Sequence, residues 1–282
     1  MQTWTIDRPG TVEIPADEPM TRLSVRLASG RLSVVGTDGP PRVEVRAIGE
    51  TAAEVRWDRG TATVTVEPEH TWPGLLAPLW WWLRGGTKAA ADVSVAVPYD
   101  TACTLRLASG SLVVSDLRAE VRVDCASGRL TLLGLHAPVT GKVVSGPIEA
   151  LGCTGALDLE TVSGEIVLAD SATARVRAKT ISGALIADLD NPPHDSNIDL
   201  ETISGEITIR VREDSDLSVR MNAVHGRVTT DFPELRVEPR RGANAQGRLG
   251  SGSGRLIARA VGGSISLLRR PVDADFDAGG DT

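Results

Sequence analysis

Three cysteines, Cys103, Cys125 and Cys153, and four histidines, His70, His136, His194 and His225, are the side chains of this sequence best suited to metal binding or nucleophilic catalysis. A structural zinc site needs thiolates or imidazoles at short ligand spacing, and a catalytic dyad needs its nucleophile beside a base. No CxxC pair occurs, and no histidine stands at ligand spacing from a cysteine. The spacing therefore predicts buried free thiols and solvated turn histidines, with no catalytic residue, no metal site and no cofactor.

Phosphate chemistry fares no better. Gly134 to Lys142 has the outline of a phosphate loop, but the gap between its glycines is too long and Val143 stands where Ser or Thr would hold the metal. The run GSGSG from Gly250 to Gly254 precedes an alternating RLIARA segment rather than a helix, which excludes a dinucleotide site. Glu160 and Glu201 resemble the paired acids of a glycosidase, yet the strands carry almost no aromatic side chains for stacking on sugars. A carbohydrate-active β-helix enzyme is the remaining enzymatic alternative.

One segment has a different chemistry. HTWPGLLAPLWWWLRGGTK, from His70 to Lys88, holds four of the six tryptophans. Its apolar run is well short of the ~20 residues that span a bilayer. Indole rings favour membrane interfaces and protein contacts, so Trp72, Leu79, Trp80, Trp81, Trp82 and Arg84 are candidates for a peripheral membrane or partner contact. The structural alternative is a hydrophobic cap over an open end.

The elements that must carry these residues are repetitive. LETVSGEIVL (159–168), AKTISGALIA (178–187) and LETISGEITI (200–209) are near copies, and turn dipeptides recur at Ser29-Gly30, Ser109-Gly110, Ser127-Gly128, Ser145-Gly146, Ser163-Gly164, Ser182-Gly183, Ser204-Gly205, His225-Gly226 and Ser253-Gly254. From Gly110 onward the glycines are 18, 18, 18, 19, 22, 21 and 28 residues apart. A nearly fixed short period marks a repeat architecture. Two residues past the glycines stand Leu32, Leu112, Leu130, Ile148, Ile166, Leu185, Ile207, Val228 and Leu256, which predicts a core column. Before each turn, Leu157, Leu159 and Thr161 match Val121, Val123 and Cys125, Val176, Ala178 and Thr180, and Ile198, Leu200 and Thr202. Period two makes these inward positions of β-strands.

The outward positions set the stacking. Three residues before the turns run Arg106, Asp124, Lys142, Glu160, Lys179 and Glu201, alternating in sign, and a second column runs Asp158, Arg177, Asp199, Arg220. Equivalent positions lying side by side, ~4.8 Å apart, place every charge between two opposite ones. A hairpin meander would not do so. The sequence thus predicts an all-β fold, a parallel β-solenoid (β-helix) with rungs of roughly 18–22 residues and an N-terminal β cap.

The expected organisation is a first coil, β-meander cap and Trp-rich insertion (70–88) in residues 1–98, solenoid repeats over 99–270, and an acidic disordered tail over 271–282. The formal charge is -7, of which four negatives are Asp273, Asp275, Asp277 and Asp281 in that tail. A mildly acidic chain with Arg spread along it lacks the basic footprint of a nucleic-acid binder. The first residues show neither a basic nor an apolar leader region, so a cytoplasmic location, or one at the membrane periphery, is expected.

The recurring ASGSLVV, ASGRLTL, VSGEIVL and ISGEITI resemble the bacterial putative-adhesin family of β-strand-repeat proteins, a domain of unknown function. The resemblance implies a β-solenoid with a binding or scaffolding role, and it carries over no site residues. The expectation is a non-enzymatic, adhesin-like binding or intracellular scaffold module with a protein partner. A self-assembling, cytoskeletal-type β-helix and a peripheral membrane protein are the alternatives.

Overall fold

The computed structural model describes residues 2–15, 20–47, 53–58, 61, 63–68, 90–191, 194–238 and 242–272. These form strands and turns without a helix: β1 (Gln2–Ile6), β2 (Gly10–Glu13), β3 (Arg22–Thr37), β4 (Arg42–Ala47), β5 (Ala53–Asp58), β6 (Thr63–Pro68), β7 (Ala90–Pro98), β8 (Ala102–Ser115) and β9 (Val121–Leu133). The series continues with β10 (Val139–Ser145), β11 (Ile148–Leu151), β12 (Leu157–Ser163), β13 (Ile166–Ser171), β14 (Arg175–Ser182), β15 (Leu185–Leu189), β16 (Asn197–Ser204), β17 (Ile207–Arg212) and β18 (Leu217–Ala223). It closes with β19 (Val228–Thr230), β20 (Arg236–Glu238), β21 (Ala243–Leu249), β22 (Gly254–Ala260) and β23 (Ile265–Arg270).

Consecutive coils pair in parallel, like on like. Val139 lies between Val121 and Leu157, and Leu157 beside Val176. Each coil contributes one segment before the Ser-Gly corner to a first face and one after it to a second face. The inward columns of the two faces meet as a single core of Val, Leu, Ile and Ala. Leu157, Leu159, Ile166 and Leu168 are all buried, as are Val121, Val123, Ile198 and Leu200. β-Branched and aliphatic side chains suit this pleated, two-layer core.

The corner explains its glycine. At Gly128 (φ 139°) an added Cβ would sit 1.7 Å from the Gly110 carbonyl oxygen of the coil beneath. Close backbone stacking therefore demands glycine there, in addition to the positive φ. In the later coils the threonine two residues before the corner serine satisfies such a carbonyl. Thr161, Thr180 and Thr202 donate their hydroxyls to the Gly146, Gly164 and Gly183 oxygens at 3.2, 3.1 and 3.3 Å.

Stack order departs from chain order at both ends. β3 lies between β8 on one side and β6 with β7 on the other, all parallel. Beyond them β5 and β1 continue the first face antiparallel, and β4 and β2 continue the second face antiparallel. Of the antiparallel meander expected over residues 41–69, β5 and β6 do pair antiparallel, whereas β4 pairs with β2 and β7 instead of β5, and β6 also runs parallel to β3. At the far end β22 is inserted between β16 and β18, and β23 between β17 and β19. The first face then ends with β21 and β20, each antiparallel to the strand before it in the stack.

That insertion changes three details of the repeat alignment. The corner of the last coil is Gly262-Gly263, which stacks between Gly205 and Gly226, and not Ser253-Gly254. Leu256 is buried, but in β22 beside Ile198, while Ile265 takes the post-corner position beside Ile207. Likewise Arg220 is not next to Asp199; Ile257 separates them.

Candidate functional site

The charge ladder occupies the outward positions of the first face. Arg106 meets Asp124 at 3.5 Å, Lys142 meets Glu160 at 3.4 Å, Lys179 meets Glu201 at 2.6 Å, and Arg177 meets Asp158 at 3.6 Å. Arg259, in the inserted strand, stands in register with Glu201 and reaches Asp199 at 3.3 Å. Lys179 donates to Glu201 and holds its carboxyl below the usual range, against a smaller opposing effect of burial. Glu160 and Glu201 are thus members of a ladder with Lys179 between them, and they do not form a carboxylate pair.

Beside the ladder, one residue nearer the corner than the inward threonines, runs a second outward column. In stack order it reads Ala28, Ala108, Ala126, Val144, Val162, Ile181, Ile203, Val261, Val224. The six β-branched members are 44% to 56% exposed. From Ala108 to Val224 the column spans about 34 Å at ~4.8 Å per coil. Strand alternation forces this outcome, because residues flanking a buried position must face solvent. A groove of about 800 Å³ follows the column from Ala108 to Ile203, bounded by Arg26 and by the ladder from Arg106 to Glu201 and floored by residues such as Val143 and Thr161.

The side chains first considered for chemistry do not assemble. Cys103, Cys125 and Cys153 are buried and free, and burial raises each thiol, Cys103 to about 12. A thiol so shifted is a poor nucleophile at neutral pH. His136 lies 2.9 Å from Thr154 Oγ1, His194 pairs with Asp216 at 2.5 Å, and His225 sits at a corner. Among the described residues no group of three or more metal-ligating side chains occurs.

The Trp-rich insertion, with Trp72, Leu79, Trp80, Trp81, Trp82 and Arg84, lies outside the described residues, as do His70 and the tail from residue 273. Its flanks are described: β6 ends on the first face at Pro68 and β7 starts on the second at Ala90, in register with Ser29. No helix of the described residues is long and apolar enough to cross a membrane. The exposed aliphatic column escaped sequence reasoning, although its signal was present: a Val or Ile at outward parity directly before successive turn serines.

A wound, all-β sheet of parallel strands with a grooved corner edge defines the class of protein. The chain belongs to the Toastrack DUF4097 family, whose model matches residues 7–267. The resemblance to the "putative adhesin" domain of unknown function read from the repeats agrees with this membership. No curated protein matches. Among solved structures, the chain is similar to a "putative cell adhesion protein" from Clostridium sporogenes ATCC 15579, at 10% identity and a TM-score of 0.31, covering 93% of this chain and 99% of that one. A "putative lipid binding protein" from Parabacteroides distasonis ATCC 8503 matches at 13% identity and a TM-score of 0.44, covering 94% and 97%. A "putative adhesin" from Parabacteroides merdae ATCC 43184 matches at 10% and 0.35, covering 95% and 96%.

Proposed function

We propose that the protein is a non-enzymatic binding module, adhesin-like or scaffolding in use, that holds an extended segment of a protein partner along its Ser-Gly edge. The observation that supports this reading is the aliphatic column from Val144 to Val224. Contiguous exposed apolar stripes mark interaction surfaces, since leaving them in water forgoes about 25 cal/mol per Å² of burial. From Arg106 onward the flanking ladder alternates in sign instead of being uniformly basic. It therefore matches a polypeptide bearing both charges better than an anionic bilayer, which attracts clustered Lys and Arg.

Site-specific photo-cross-linking in the native host tests the proposal. A cross-linking residue at Val162, Ile181 or Ile203 should trap one discrete protein, and the same residue at Thr208 on the opposite face should not. Equal labelling from both faces, or none from the edge, would remove the groove as the binding surface. The second reading is a peripheral membrane contact, favoured by the tryptophans of segment 70–88, whose following strand β7 begins in register with the corner serine Ser29. Pelleting with anionic vesicles that disappears when Trp80, Trp81 and Trp82 become Ala would support it over the protein partner.

A further inference from the structure

The first face carries a second feature at its far end, away from the groove. Arg220 of β18, Arg236 of β20, Arg248 of β21 and Arg255 of β22 line one cavity of about 630 Å³ together with Ser218 and Gln246. Strand register brings them together: Arg255 neighbours Ser218, which faces Arg248, while Arg220 faces Gln246, which faces Arg236. An adjoining cavity of about 250 Å³ shares Arg220, Arg236 and Gln246 and adds Glu238. Among the described residues none of the four arginines has a carboxylate partner within ion-pair distance, whereas the ladder on the same face is paired from Arg106 to Arg259.

The inserted strand creates this imbalance. β22 gives Asp199 its cation from Arg259 and places Ile257 where the alternation would have needed an acid beside Arg220. Ile257 points outward yet is only 4% exposed, so it forms an apolar floor under the arginine stems. Four like charges around one cleft repel one another, in a chain whose formal charge is -7. A multivalent anion relieves that repulsion. Guanidinium forks match the oxygens of a phosphate group in paired hydrogen bonds, and Ser218 and Gln246 add neutral donors.

We infer that this cleft binds a phosphate-ester ligand through Arg220, Arg236, Arg248 and Arg255. Sodium pyrophosphate, titrated calorimetrically at low and raised salt, probes a soluble source. Flotation with phosphatidylglycerol vesicles, against phosphatidylcholine vesicles, probes a lipid headgroup. Wild-type protein should bind at least one of the two, and the Arg220→Gln/Arg255→Gln protein should bind it at least tenfold more weakly with an unchanged melting temperature. Arg31→Gln/Arg122→Gln, which removes the same charge elsewhere, should bind as wild type. Pyrophosphate binding assigns a free phosphate ester, and binding to phosphatidylglycerol alone assigns a lipid; either supports the cleft. Failure of wild type to bind both, or an equal loss in the two double variants, overturns it.

Discussion

At the scale of single residues, the coil is held by a few positions that tolerate little change. Ile166 is fully buried between Ile148 and Leu185 in the post-corner column. Replacing it with Asp places an unpaired charge in an aliphatic core, at a cost on the order of 4 kcal/mol or more. Urea denaturation should show loss of most of the folding transition, and a wild-type midpoint would refute the inward assignment. Titration acts at residue scale too. Asp188 is held below its ordinary range first by the hydrogen bond from Arg210 at 2.8 Å, with Arg270 adding to it, and Glu201 is held down by Lys179. Folded-state values below the unfolded ones stabilise the fold above about pH 4 to 5, and that contribution is lost as pH falls through the lowered values. Stability measured at pH 7 and pH 3.5 should therefore fall on acidification, with a shallower fall in Asp188→Asn. A slope unchanged in that variant would discount the pair.

At the scale of elements, register is the quantity the charges report. Each exposed pair is worth about 1 kcal/mol or less, so the ladder adds little stability while it disfavours slipped coils. Glu201 stands between Lys179 and Arg259, and Glu201→Lys would set three cations side by side. Its melting temperature should drop by a few degrees at low ionic strength and recover in salt, because screening weakens exposed like-charge repulsion. Insensitivity to salt would argue against the stacked register. The threonines add a different constraint. Hydroxyl bonds from Thr161, Thr180 and Thr202 to glycine carbonyls one coil away explain why the repeated motif reads Thr-Val/Ile-Ser-Gly in these coils.

At the scale of the whole molecule, both ends of the first face finish in antiparallel strands, β1 over β5 and β20 over β21. Open strand edges invite edge-to-edge association, and short end strands such as β1 and β20 discourage it. Sedimentation velocity should accordingly give a monomer for the full chain. A protein lacking residues 1–13, which removes β1 and β2, should associate through the uncovered edges of β5 and β4. A full-length chain that forms long polymers would instead favour the self-assembling alternative.

The repeat, its inward columns and the lateral pairing of Asp124 to Glu201 with their neighbours were all legible in the linear sequence. They arise from alternation along one strand and from a nearly constant period, both of which are local. The order of the end coils was not legible. It depends on which exposed edge each terminal strand joins, a choice between surfaces distant in the chain. Ser253-Gly254 looks like a corner from sequence, yet Gly262-Gly263 fills that place, because β22 enters between two coils that chain order would have made neighbours. That one insertion separates Arg220 from Asp199 and leaves four arginines around a cleft. The aliphatic edge belongs between these cases: each Val or Ile was visible one repeat at a time, but only stacking turned them into a continuous groove.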